Sequence, residues 1–245
     1  MLAQLIAPLL ALPDVEPALA SARTAVDTAL RHKALRRSGG PLAAEIGLRS
    51  AVASAALEGH PFDLADVRAG TVTDPVVQGA LRVSAALDGL APRWLRAPRQ
   101  VMARLHLLAA RDSVADDELG RPAPGPPDGG RLDTLCALIA AGTPDVPALL
   151  KAAVVHGELM ALRPFAGPSG VVARAAARLT LIADGLDPRG LIAPELGHRE
   201  REPEYVGTVN AFSTGTPDGV RSWLRHYATA VTMAATEVTR LADEV

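Results

Sequence analysis

Residues 156–178 read His156-Gly-Glu-Leu-Met-Ala-Leu-Arg163-Pro-Phe-Ala-Gly-Pro-Ser-Gly170-Val-Val-Ala-Arg174-Ala-Ala-Ala-Arg178. An apolar helical run enters Arg163-Pro164-Phe165. A tight turn, Gly167-Pro168-Ser169-Gly170, follows. A second helical run then starts and carries Arg174 and Arg178. Helix, glycine-containing loop and helix N-terminus together predict an anion site. The first N–H groups of a helix lack internal partners, and its dipole is positive at that end.

Around this stretch the composition is that of a helical protein. Of 245 residues, 49% are apolar and only 3% aromatic, so alanine and leucine must fill the core. That suits close-packed helices better than a sheet sandwich. No segment alternates strictly for long, so no sheet is expected. A net charge of −2 and the absence of a dense basic run argue against nucleic acid. One cysteine, Cys136, forbids an internal disulfide and reads as a small core residue. The apolar run to Leu12 is too short to span a bilayer and lacks a basic leader, so a core-packing helix and a cytoplasmic location are expected.

In order, helices are expected over 2–12, from Asp14 to about Arg37 with Gly39-Gly40 as the stop, and from Pro41 to Gly59. Further helices start at Asp63, cover 75–88, 97–110 and 131–141, and run from Pro147 to Leu162. The helix opening at Ser169 reaches about Asp184. A short one covers Glu204 to Phe212, and Asp218 caps a last long one to Glu244. Residues 119–130, rich in proline and glycine, read as a surface loop. Residues 1–40 are expected to pack on a single compact unit, 41–245.

The segment from Arg163 to Arg174 resembles the signature of the Fic family, His-Pro-Phe-x-Asp/Glu-Gly-Asn-Gly-Arg-x-x-Arg. Pro164, Phe165, Gly170 and Arg174 match it. Ser54-Ala-Ala-Leu-Glu58-Gly59 resembles the family's inhibitory motif, Ser/Thr-x-x-x-Glu-Gly/Asn, in the expected upstream place. Ser54 and Glu58, four apart, share a helix face. Tyr205 and Trp223 resemble landmarks of the closing helices. The resemblance implies an all-α bundle with the inhibitory helix N-terminal to the core. It also implies an ion pair between Glu58 and Arg174 that blocks placement of a nucleotide's γ-phosphate.

The departures bear on activity. Members of the family typically transfer AMP from ATP to a protein hydroxyl, with the motif histidine as general base. Here Arg163 stands in its place, and a guanidinium offers no acceptor for a proton. Gly167 replaces the acid that helps hold Mg²⁺. Pro168 removes an N–H from the loop, Ser169 replaces the asparagine but retains a capping oxygen, and Val171 replaces a phosphate-binding arginine. Each such loss costs roughly 10²- to 10⁴-fold in rate, although the losses do not simply multiply.

A degenerate Fic-like protein without AMP transfer, acting as a binding or regulatory module for an unidentified protein partner, is therefore expected. Gly167, Ser169, Gly170 and Arg174 would form a vestigial nucleotide or anion site, and Ser54, Glu58 and Gly59 the inhibitory element. No catalytic residue and no metal site are expected. ATP with Mg²⁺ enters only if the chain is instead a divergent nucleotidyl or phosphate-group transferase restrained by Glu58, with His60 a conceivable base. A purely structural helical subunit, a homo-oligomer included, is the third alternative. The pair Glu58–Arg174 is either structural or competes with an anionic ligand. His156 reads as a core histidine, and Asp116-Asp117-Glu118 as a solvated face. In Fic enzymes a flap near this part of the chain aligns the target by strand addition, which prolines at 122, 124, 126 and 127 would frustrate.

Overall fold

A computed structural model describes residues 3–122, 130–141 and 146–244, with the side chains of residues 3 and 4 left aside. Twelve α-helices are present among the described residues, and no strand. In chain order these are α1 (Ala3–Ile6), followed by a 3-10 turn over Ala7–Ala11, α2 (Val15–Leu30), α3 (Leu35–Ala56), α4 (Leu64–Arg68), α5 (Pro75–Trp94) and α6 (Pro98–Ala110). Then come α7 (Arg131–Ala140), α8 (Ala148–Leu162), α9 (Ser169–Ala183), α10 (Pro194–Glu200), α11 (Glu202–Ser213) and α12 (Pro217–Asp243).

The bundle is built around α9. Thirteen of its 15 residues, Ser169 to Leu181, are buried, so it is enclosed on every side rather than on one stripe. It packs on α8, α5, α6, α3 and α10. Ala175, Ala176 and Ala177 keep its surface shallow enough for that many neighbours. The long α12 closes the other side against α2, α11, α10 and α8. Two tryptophans bury whole rings and still satisfy their N–H groups. Trp94 Nε1 donates to Thr180 Oγ1 at 3.0 Å, and Trp223 Nε1 to the Ala153 carbonyl at 2.9 Å.

Several boundaries differ from expectation. The helix from Asp14 stops at Leu30, not Arg37. A new helix starts at Leu35 and runs through Gly39-Gly40 with non-helical angles at Ser38 (φ −113°, ψ 17°). The bend at Ser38 accommodates Pro41, which then lies in the first turn of the straight segment beyond it. The 40/41 boundary thus falls inside α3. Asp14 does not cap α2 through its side chain; it pairs with Arg221 at 2.7 Å. Thr216, not Asp218, caps α12, accepting from the Gly219 N–H at 3.2 Å. Helix α10 had no counterpart in the sequence reading. Of the loop over 119–130, residues 123–129 lie outside the described residues, so the prolines at 124, 126 and 127 do too.

Candidate functional site

The site lies where the end of α3, the α8–α9 loop and α11 meet. Helix α8 ends on Arg163, which caps it in the left-handed region (φ 42°, ψ 58°) and donates its N–H to the Leu159 carbonyl at 2.9 Å. Phe165 turns inward and stacks on His106, with ring centroids 4.7 Å apart. His106 Nδ1 accepts from the Gly120 N–H at 3.0 Å, which leaves Nε2–H to donate to the Ala166 carbonyl at 2.9 Å. Burial pushes the His106 pKa down, so the ring serves as a neutral clamp on the loop. Gly167 sits at φ +67°, and a Cβ there would stand 2.7 Å from Val114 Cγ1. Ser169 does not cap α9. Pro168 occupies the N-cap position and Ser169 the first helical one, with no side-chain cap bond.

Arg174 and Arg178 lie on one face of α9, four apart, and both are buried. Their partners, Ser54 and Ser50, lie four apart on α3. Arg174 Nε donates to Ser54 Oγ at 2.9 Å, and Arg178 Nη1 to Ser50 Oγ at 2.8 Å. Rising numbers on α9 meet falling numbers on α3, so the two helices run antiparallel across a two-rung ladder. Arg174 Nη2 also donates to the Ser54 carbonyl at 2.9 Å and to Glu58 Oε1 at 2.6 Å. Its Nη1 donates to the Tyr205 hydroxyl at 3.2 Å. Burial opposes the charge, but the Tyr205 oxygen and Glu58 outweigh it and hold the guanidinium pKa above its ordinary value.

Glu58 is thus bound to Arg174 directly above the first turn of α9. Gly170 makes this approach feasible, because a Cβ there would fall 2.1 Å from Glu58 Oε1 and 2.9 Å from Arg174 Nη1. Gly59 follows at φ +89° with open space around it, and turns the chain away from the site. The structure brings together Ser54, Glu58, Gly170 and Arg174. Gly167 faces Val114 and Ser113 instead, and Val171 is buried in the core.

Beside Glu58 is a cavity of about 160 Å³. Leu57, Met160, Val206 and Val209 form its apolar wall, and Arg163, Ser169, Tyr205 and Asn210 join Glu58 on the polar side. None of its lining residues is a histidine. His60 turns elsewhere and bonds Asp74 Oδ2 at 2.9 Å. His156 is buried under the site, its Nε2 3.0 Å from the Tyr205 hydroxyl. Tyr205 accepts from Arg174 and donates to His156, which places the imidazole proton on Nδ1, an atom without a partner. Burial first, then the charges of Arg174 and His226, pushes the His156 pKa well below its ordinary value. Asp116, Asp117 and Glu118 are exposed. Among the described residues no group of three or more metal-ligating side chains is found, and no helix is long and apolar enough to cross a membrane.

Sequence reasoning did not assign Tyr205 its bond to Arg174, nor place Asn210, Met160 or Val206 at the site. Val206 and Asn210 lie four apart on α11, as do Tyr205 and Val209. That spacing is the signal, but it names no target across the bundle.

No protein-family model matches the chain, and no curated protein matches it in sequence. Solved structures do match it in shape. A Fic family protein from Desulfovibrio desulfuricans G20 superposes with a TM-score of 0.74 at 21% identity, over 94% of this chain and 76% of that one. Fic-1 from C. elegans (residues 134–508) gives 0.67 at 17% identity, over 94% and 73%. A variant of the same fragment, glutamate to glycine at one position, gives 0.72 at 18% identity, over 97% and 75%. Across nearly its whole length, then, the chain has the all-helical Fic fold.

Proposed function

We propose that the chain is a Fic-fold protein that does not transfer AMP and acts as a binding or regulatory module. The observation that carries this reading is Arg163 at the end of α8, lining a cavity with no histidine to accept a proton. Three further features support it. Glu58 is seated on Arg174 and Gly170, where an anion would have to lie. The cavity left beside it, about 160 Å³, is smaller than the roughly 300 Å³ at the lower end of drug-sized sites. Mg²⁺ does not fit the residues present, because Gly167 offers no oxygen side chain and Glu58 is the only carboxylate in the cavity lining.

The module would work in the cytoplasm and engage a protein rather than nucleic acid. A homo-oligomer is compatible with the reading. Incubation with labelled ATP, Mg²⁺ and cell extract tests it. No protein labelling is expected, even after Glu58→Gly. Strong labelling that disappears on Arg174→Ala would overturn it in favour of the second reading, a divergent transferase restrained by Glu58. That second reading draws on the retained Arg174 guanidinium and on Ser169, which lines the cavity and makes no side-chain cap bond.

A further inference from the structure

The cavity beside Glu58 presents two opposite charges that do not satisfy each other. Arg163 is exposed and makes no side-chain hydrogen bond or ion pair with any described residue. Glu58 commits Oε1 to Arg174, while Oε2 has no partner among the described residues. The carboxylate is only 19% exposed. Both groups line the same cavity of about 160 Å³ without forming an ion pair. Arg163 also holds a left-handed backbone, φ 42°, where glycine would be free of strain. Strain retained at a position that presents a side chain to a cavity points to use of that side chain. Ser169, 9% exposed, adds a hydroxyl without a partner at the same wall.

The charges select the ligand. A simple anion would meet Arg163 but be repelled by Glu58, and a simple cation the reverse. A molecule carrying both charges satisfies both. Size narrows it further, since a cavity of about 150 Å³ holds a benzene-sized guest, which here allows roughly six to nine non-hydrogen atoms. Met160, Val206 and Val209 supply an apolar wall. We infer that this cavity binds a free α-amino acid with a short apolar side chain. Its carboxylate would pair with the Arg163 fork and the Ser169 hydroxyl, and its ammonium with Glu58 Oε2. Its side chain would rest on Met160 and Val209. The inference rests on the binding-module reading and names the class of ligand for that same site. Glu58 stays on Arg174 while the ligand is bound, so an occupied cavity favours the arrangement described above.

Calorimetric titration of the full chain with L-leucine and L-methionine tests it. Saturable binding is expected. Isoamylamine and 4-methylpentanoate, each lacking one of the two charges, should not bind comparably. Arg163→Gln, a change at an exposed residue that should leave the fold intact, is expected to weaken binding roughly tenfold to a hundredfold, the range of one charge-assisted bond. Val206→Trp should block the cavity. Absence of saturable binding up to about 10 mM, equal binding of the single-charge comparators, or unchanged affinity in Arg163→Gln would overturn it. The labelling assay reads a different event. Arg174-dependent AMP transfer counts against the binding-module reading, whereas no transfer and no amino-acid binding overturns the present inference alone.

Discussion

Glu58 and Gly170 occupy one another's space so closely that a methyl group on Gly170 would stand 2.1 Å from Glu58 Oε1. Arg174 is held by Ser54 and Tyr205 as well, so the carboxylate must be the group that leaves. Gly170→Ala should therefore break the Glu58–Arg174 pair and cost about 1–3 kcal/mol, the usual range for overpacking. Gly89→Ala, at an exposed position in α5 with nothing within 4 Å, should instead stabilise by about 0.5–1 kcal/mol. Urea denaturation of the two variants checks the opposite signs.

Removal of Glu58 leaves Arg174 buried with only neutral partners, two from Ser54 and one from Tyr205. Glu58→Ala is expected to cost about 3 kcal/mol, the lower end of the range for a broken buried pair because Glu58 is partly open to water. A denaturation midpoint equal to wild type would show that solvent already carries this charge.

Lys151 is fully buried, donating from Nζ to Asp184 at 3.1 Å and to the Ile139 carbonyl at 3.2 Å. Replacing both partners, Lys151→Met with Asp184→Asn, removes the pair and keeps the volume, so stability should change by no more than about 1 kcal/mol or rise. Asp184→Ala strands the ammonium and should cost about 2–4 kcal/mol. Thermal melts of the pair distinguish a removed charge from a stranded one.

Acid should destabilise the protein through its buried histidines. His156 and His198 have pKa values pushed far down by burial and by neighbouring positive groups, and burial lowers that of His226 too. Below pH ~6.5 the unfolded chain binds protons at these sites that the folded chain refuses, so stability falls as pH falls, by up to about 1.4 kcal/mol per pH unit for each histidine. Asp187 works against this. Burial pushes its pKa up to about 6, so below that pH the folded state takes up a proton before the unfolded state does. Burial raises Glu195 in the same sense. Stability measured by urea between pH 5 and 7 should thus show a flatter acid decline in His198→Asn and a steeper one in Asp187→Asn.

The central frame was legible because its chemistry is local. Helix periods, a glycine turn and serine and glutamate four apart placed α3, α8 and α9 and suggested which faces meet. Boundaries governed by distant partners were not. Asp14 looks like a cap, yet Arg221, more than two hundred residues later, takes its carboxylate. Helix α10 has only seven residues, too few for a period. Its Gly197 packs on the Ala230 backbone, where a Cβ would come within 2.5 Å of Cα, a distant contact that the local sequence does not signal. The buried row His226–His198, with nitrogens 3.0 Å apart and Glu204 at its outer end, joins three helices through single residues and leaves no pattern in any of them. Ser169 carries an oxygen able to cap α9, but Pro168 takes the N-cap position and leaves that oxygen unused as a cap.

The enclosure of α9 by five other helices sets an order of events. Its interior amides can exchange with solvent only when the bundle opens as a whole, so they should belong to the slowest-exchanging set in the chain. The carboxylate above its first turn hangs instead from the Glu58-Gly59 turn after the end of α3, where Gly59 is exposed. A ligand or partner that pulls on this turn would therefore unseat Glu58 while α9 stays still. Amides of residues 57–60 are the ones whose exchange should report it.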